Sequence, residues 1–311
     1  MAMVPVLSLH DFNVDSDGFV RDLGKAWREF GFVGIRDHGI DADLIDRVYR
    51  AARAFFSLPE PCKQQYHRPG TGGARGYTGF GIEQARDHDV PDLKEFWHVG
   101  REMGSDNPNP GILKPNLWPA EVESFQSTVL ELYRSLDQLG REILMAAALD
   151  IGLERDWFEN SVDHGNSILR LIHYPPLDQP RPGAVRAARH EDINLITLLL
   201  GSDEQGLEIL TRDGRWIPVG TDRETVVVNV GDMLQRLTNH VYPSTTHRVV
   251  NPPGEAANRS RYSIPFFLHP NPDFLIKTLP ECTGPDHPDR YPEPITANDY
   301  LLERLREIGL L

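Results

Sequence analysis

Beyond Ser167 the sequence breaks into short apolar runs, ILRLIHY, INLITLLL, LEIL, TVVVNV, HRVV and RYSIPFFL, separated by Gly, Pro, Asn and Asp. Runs this short, rich in β-branched residues and punctuated this often, read as strands. No long helical pattern separates them. Parallel strand-helix-strand units are therefore disfavoured, and a sandwich or barrel is the expected form.

The first half has a different texture. VPVLSL suits a short strand, residues 15–29 a helix, and GFVGIRDHGI a β-rich segment ended by Gly39. Residues 41–57 place Leu44, Val48, Ala52 and Phe55 on one stripe, with Asp41 as a cap and Pro59 as the stop, which predicts an amphipathic helix. Pro119 opens a long helical stretch to about Leu149, carrying Phe125, Val129, Tyr133, Leu136, Ile143 and Ala147 at helical spacing. A last helix begins near Ala297, with Leu301, Leu302, Leu305 and Ile308 as its apolar side. The stretch RPGTGGARGYTGFG holds too many glycines for a regular element. Its spacing matches neither the dinucleotide fingerprint nor the P-loop, so it reads as a loop.

A chain of 311 residues with 40% hydrophobic content can bury one large core or two intimately packed ones. Lys plus Arg 32 against Asp plus Glu 46 leaves a formal charge of -14, which repels polyanions and favours a small-molecule substrate over nucleic acid. No apolar run is long enough for a membrane span, and MAMVPVLSLHDF lacks the flanks of an export signal. Cys62 and Cys282 stand far apart and outside metal-type spacing. A reducing, cytoplasmic setting is therefore expected, with no membrane and no obligatory protein partner.

The chemistry begins in ARHEDINLITLLL. Side chains alternate along a strand, so His190 and Asp192 share a side and can bind one metal ion. The same spacing recurs at His287-Pro288-Asp289, but no histidine follows it. Asp192 is followed, after residues 193–246, by His247 in STTHRVVN. Two histidines and a carboxylate form the facial triad of non-haem Fe(II), which leaves positions open for oxygen chemistry. A zinc-peptidase motif would need a histidine where Asn194 stands. On spacing alone, a structural pair of histidines remains the alternative. In RSRYSIPFFL, Arg261 and Ser263 share one face, with Tyr262, Ile264 and Phe266 on the other. An interior guanidinium requires an anion, and one end of a small diacid suits it; an exposed strand edge is the alternative.

This ordered set, embedded in GLEILTRDGRWIPV, VVVNVGDMLQRLTN and HRVVN, resembles the Fe(II)/2-oxoglutarate-dependent dioxygenases of the isopenicillin N synthase-like superfamily. PVLSLHDF, GFVGIRDHGI, FFSLPEPCKQQY and RGYTGFG are similar to its N-terminal region. The resemblance implies a mainly β fold with α: a double-stranded β-helix (jelly-roll) core flanked by helices over residues 161–311, ending in a C-terminal helix. A helical and mixed N-terminal region over residues 1–160 packs on it. It further implies Fe(II) on His190, Asp192 and His247, and 2-oxoglutarate gripped at its far carboxylate by Arg261, Ser263 and Tyr174. Dioxygen (O2) is the implied co-reactant, ascorbate an accessory reductant, and hydroxylation of a small molecule with release of succinate and CO2 the implied reaction.

Two departures stand out: Ile172 and His173 replace the asparagine many plant members carry before the tyrosine, and RVVNPPGEAANRS lengthens the gap to Arg261. Arg170 shares Tyr174's side of its strand, while Tyr77, Glu95 and His98 fall in regions that line the entrance in relatives. These four are the candidate substrate contacts; the alternative for Arg170 is an ion pair with a nearby acid, and for the other three a position facing water. Trp97 and Arg101 lie in the same stretch, His240 reads as a turn residue, and Asn229 and Asp232 as barrel structure. Two other functions fit the sequence: a superfamily oxidase using Fe(II) and O2 without 2-oxoglutarate, and a non-catalytic barrel serving as a binding module.

Overall fold

Local chemistry sets the first elements. In the computed structural model, which describes residues 3–69, 74–83, 92–104, 107–176, 185–201, 206–220, 222–251 and 254–307, the chain enters as β1 (Val6–Ser8), α1 (Leu9–Val14) and α2 (Ser16–Phe30). Asp15 caps α2 by accepting from the Gly18 N–H, and Gly31 ends it in the left-handed conformation at φ 67°. After β2 (Phe32–Arg36) comes α3 (Ala42–Phe56), capped by Asp41 as the sequence predicts. α4 (Glu60–Gln64), β3 (Gly76–Thr78), β4 (Glu95–Gly100), α5 (Phe125–Asp150) and α6 (Glu159–Val162) follow. The short apolar runs then become β5 (Ile168–Tyr174), β6 (Ala187–His190), β7 (Ile196–Leu200), β8 (Leu207–Leu210), β9 (Trp216–Pro218) and β10 (Val226–Val230). After α7 (Asp232–Leu237) come β11 (His247–Val249), β12 (Arg261–Ser263) and β13 (Pro265–Leu268). β14 (Leu275–Ile276), β15 (Ile295–Thr296) and α8 (Ala297–Glu307) close the described chain.

The strands form a jelly roll from two sheets. The larger runs β1-β2-β10-β7-β13-β5-β4-β3, with β12 also paired to β5, and the smaller runs β6-β11-β8-β9. All pairings within these sheets are antiparallel except β1 with β2. The sheets meet face to face where Phe32 and Val227 of the larger pack with Leu207, Ile209 and Ile217 of the smaller. On the outer face of the larger sheet, Trp27, Phe55 and Leu136 of the helices pack against Trp97, Leu169, Leu198 and Phe266. Strands from before and after residue 160 therefore share one sheet, and a boundary at that residue runs through α6.

Three elements differ from the sequence reading. The long helix starts at Phe125 rather than Pro119, after a run of turns. RYSIPFFL divides at Ile264 into β12 and β13, which pair with β5 and then with both β5 and β7. INLITLLL becomes a strand only from Ile196, because residues 193–195 bend. Ile308 and residues 70–73 of the glycine-rich stretch lie outside the described residues. No described helix is long and apolar enough to cross a membrane.

That bend is held by the start of α7. The N–H groups of Gly231, Asp232 and Met233 donate to the carbonyls of Leu195 (2.8 Å), Asp192 (2.7 Å) and Ile193 (3.3 Å) respectively. A Cβ added to Gly231 would sit 2.3 Å from the Asn194 carbonyl oxygen and from its Oδ1, an overlap that backbone must move to relieve. Gly231→Ala should cost about 1–3 kcal/mol, read as a lowered unfolding midpoint; an unchanged midpoint would contradict this packing.

Candidate metal centre and cosubstrate pocket

His190 ends β6 and His247 begins β11; the two strands are antiparallel neighbours with these residues directly opposite. Their ring centroids are 4.3 Å apart. Asp192 stands two residues past the end of β6, just before the bend at 193–195, yet its side chain turns to the same point. Its Oδ1 is 3.8 Å from Nε2 of each histidine, and the three ligand atoms all lie within 4.8 Å of one another.

The outward hydrogen bonds dictate which atoms face inward. His190 Nδ1 is 2.7 Å from the Ala188 carbonyl oxygen and His247 Nδ1 is 3.1 Å from that of Thr245. A carbonyl can only accept, so each Nδ1 carries the proton and each Nε2 keeps a lone pair. Asp192 Oδ2 accepts from Thr197 Oγ1 (2.6 Å) and Asn229 Nδ2 (2.9 Å), which leaves Oδ1 for the centre. Asn194 Nδ2 donates to Thr197 Oγ1 (2.9 Å), so the threonine proton is free to point at the carboxylate.

The protonation states agree with this assignment. Burial opposes ionisation of Asp192, but the two imidazoles and the donors Asn229 and Thr197 outweigh it and hold its carboxyl below the usual range. Burial, reinforced by His247 and Lys94, pushes the His190 imidazole below its ordinary pKa and keeps it neutral. Two imidazole nitrogens and one carboxylate oxygen make a borderline-hard donor set that fits Fe(II) with coordination positions left over.

On the facing sheet β12 pairs with β5, so that Arg261 lies opposite Tyr174 and Ser263 opposite Ile172. Arg261, Ser263 and Tyr174 are all buried. The Arg261 guanidinium carbon is 5.1 Å from the centre of the Tyr174 ring. Tyr174, Ile172 and Phe96 form a small apolar cluster on this face. A second buried guanidinium, Arg186, lies 5.8 Å from the same ring. Sequence reading missed it, although residues 186, 188 and 190 share parity at the start of β6.

The candidate substrate contacts separate by strand parity. His98 and Arg170 are opposite each other on β4 and β5 and hydrogen-bonded, on the face that carries Phe96 and Tyr174. The Arg170 guanidinium sits between Phe96 (4.3 Å) and Phe267 (5.2 Å). Glu95 and Tyr77 project to the other face: Tyr77 donates to Glu95, which also accepts from Lys63 Nζ (2.6 Å) and contacts His173 Nδ1 (2.7 Å). Tyr77 packs there with Phe55 beside the equally buried Trp97. Arg101 lies just past β4 and is ion-paired to Asp137 at 2.7 Å.

Two residues read as barrel structure do more than that. Asn229 is a direct donor to Asp192, and Asp232 donates its N–H to the Asp192 carbonyl while its side chain pairs with Arg304 of α8 at 3.3 Å. His240 is a turn residue, at φ 66° and stacked on Tyr291. Thr197 was also missed; as one of two polar residues in INLITLLL it carried a signal.

A jelly roll with two imidazoles and a carboxylate converging inside it defines a non-haem metal oxygenase. Comparison with known proteins identifies the family. Residues 4–121 match the family described as non-haem dioxygenase in morphine synthesis N-terminal, and residues 165–270 match the 2OG-Fe(II) oxygenase superfamily. The 2-oxoglutarate-Fe(II) type oxidoreductase hxnY of Emericella nidulans is 36% identical over 95% of this chain and 87% of its own. The proline hydroxylase buaE of Petromyces alliaceus is 33% identical over 93% of each. A 2OG-Fe(II) oxygenase family protein from Caulobacter crescentus superposes with a TM-score of 0.92, 48% identity and 99% of each chain covered. A full-length Neurospora crassa protein, solved in complex with alpha-KG and thymine, superposes at 0.86 with 30% identity, over 97% of this chain and 96% of its own. The chain belongs to the 2OG-Fe(II) oxygenase superfamily, and the protein is an Fe(II)- and 2-oxoglutarate-dependent oxygenase.

Because Thr197 holds the Asp192 carboxylate of the candidate centre, Thr197→Val, which keeps shape and removes the donor, should weaken Fe(II) binding about 10–100-fold. Anaerobic equilibrium dialysis reads this directly, and wild-type affinity in the variant would show that the hydroxyl is dispensable.

Proposed function

We propose that this enzyme hydroxylates a small molecule, with His190, Asp192 and His247 as the iron ligands and Arg261, Ser263 and Tyr174 as the seat of the far carboxylate of 2-oxoglutarate. The observation that carries this reading is the pairing of a buried guanidinium on β12 with a donor triad on the opposed sheet. Ferrous iron in the triad supplies the activation of O2 against 2-oxoglutarate, with succinate and CO2 as products and one oxygen atom going to the substrate.

The chain's own residues divide the remaining work. Arg261 offers a planar fork and Ser263 a hydroxyl to one carboxylate, which orients the diacid along the barrel. Phe32, Val227, Ile209 and Ile217 fill one end of the barrel with hydrocarbon and keep it dry. Arg170, His98, Phe96 and Phe267 supply guanidinium, imidazole and two aromatic rings on the inward face, and these are the proposed substrate contacts. Glu95 and Tyr77, on the opposite face, serve the packing of α3 and α4 instead.

Anaerobic titration with Fe(II) and 2-oxoglutarate should produce the weak visible charge-transfer band of the chelate. Asp192→Ala should abolish both the band and succinate formation. Arg261→Ala loses a charge-assisted contact worth about 1.5–3 kcal/mol, so it should need roughly 10–100-fold more 2-oxoglutarate for the same band. An unchanged requirement in Arg261→Ala would remove that residue from the site. No band in the wild type, with Fe(II) bound, would favour an oxidase that dispenses with 2-oxoglutarate.

A further inference from the structure

A buried charge network lies beside the centre. Residues 81–83 run alongside 92–94, with Asp92 N–H donating to the Glu83 carbonyl (3.0 Å) and Gly81 N–H to that of Lys94 (3.3 Å). Leu93 N–H in turn donates to the Val185 carbonyl (3.2 Å), which lays this ribbon against the approach to β6. Within it, opposite charges alternate. Glu83 Oε2 is 3.2 Å from Arg170 Nη1 and 2.7 Å from Lys94 Nζ, and Lys94 Nζ is 2.8 Å from Asp92 Oδ2.

The network ends at Ala188, the residue whose carbonyl holds the His190 imidazole. Asp92 Oδ1 accepts from the Ala188 N–H at 3.0 Å, and the Ala188 carbonyl accepts from His190 Nδ1 at 2.7 Å. Lys94 and Asp92 are both buried. Burying such charges is costly, and apolar side chains of the same volume would stabilise the fold at least as well. Their arrangement does something apolar residues cannot: Asp92 accepts from the Ala188 N–H and so pins the backbone of the residue whose carbonyl, in the next peptide group, accepts from the imidazole N–H. That bond fixes the tautomer and ring orientation that leave Nε2 for the metal.

We propose that Asp92 and Lys94 are positioning residues for His190. Asp92 fixes the Ala188 backbone, that backbone fixes the imidazole, and Lys94 fixes Asp92. Glu83, shared between Lys94 and Arg170, joins this assembly to the face where Arg170 and His98 stand. The inference rests on His190 being an iron ligand.

The test uses the full-length protein and Fe(II) alone, by anaerobic equilibrium dialysis, with the thermal midpoint of the metal-free protein measured in parallel. Asp92→Ala should lower Fe(II) affinity about 10–100-fold in folded protein. Lys94→Met should lower it by less, and Asp92→Asn, which keeps an acceptor oxygen for Ala188, should recover most of the loss. Should Asp92→Ala fail to fold, the comparison of Asp92→Asn and Lys94→Met with wild type decides: a weakened Lys94→Met supports the proposal and wild-type affinity in it overturns it. A midpoint that falls while Fe(II) affinity stays at the wild-type value, or an Asp92→Asn as damaged as Asp92→Ala, also overturns it. Wild-type protein that does not bind Fe(II) would instead sink the oxygenase reading itself, so the two failures are distinguishable.

Discussion

The Asp192 carboxylate is ionised where little water reaches it, and burial on that scale costs several kcal/mol unless the charge is answered. Thr197 and Asn229, opposite each other on β7 and β10, answer one oxygen. The other is left facing two imidazoles from the opposed sheet. No single strand or hairpin could assemble that environment. It requires the two sheets of the jelly roll to close on each other, with α7 pinning Asp192 and the bend after it.

Closure also divides the interior of the barrel. One end is hydrocarbon from both sheets, centred on Phe32, Ile209 and Ile217. The Phe32 ring reaches the His247 ring at 5.5 Å, so the apolar packing abuts the centre. The other end holds Tyr174, Phe96 and the cations Arg261, Arg170 and Lys94. The cations of the second end complement a dianionic cosubstrate. The N-terminal region builds part of that end through β4 and the ribbon before it, which places Phe96 and His98 on the same inward face as Tyr174.

Much of this was legible in the sequence, and the reasons are physical. Short apolar runs between turn residues could only be strands, and the paired spacing of His190 with Asp192 and of Arg261 with Ser263 survives small errors in strand limits. Asp192 lies past the end of the strand, yet remained on the side of His190 because α7 holds its backbone. What stayed hidden depends on pairings far apart in sequence. Asn229 reaches Asp192 only across the β7–β10 ladder, and Asp92 reaches Ala188 only where the ribbon meets β6. Glu95 and His98 are three residues apart, so the same strand had to send them to opposite faces. Proximity in sequence alone could not separate them; the register against β5 does.

The central claim is that one ferrous ion sits among His190 Nε2, Asp192 Oδ1 and His247 Nε2. Anomalous diffraction at the iron edge, from crystals grown anaerobically with Fe(II), tests it most directly. The expected result is a single strong peak at bonding distance from those three atoms. A peak elsewhere, or imidazole rings turned away from an iron bound by other residues, would contradict it.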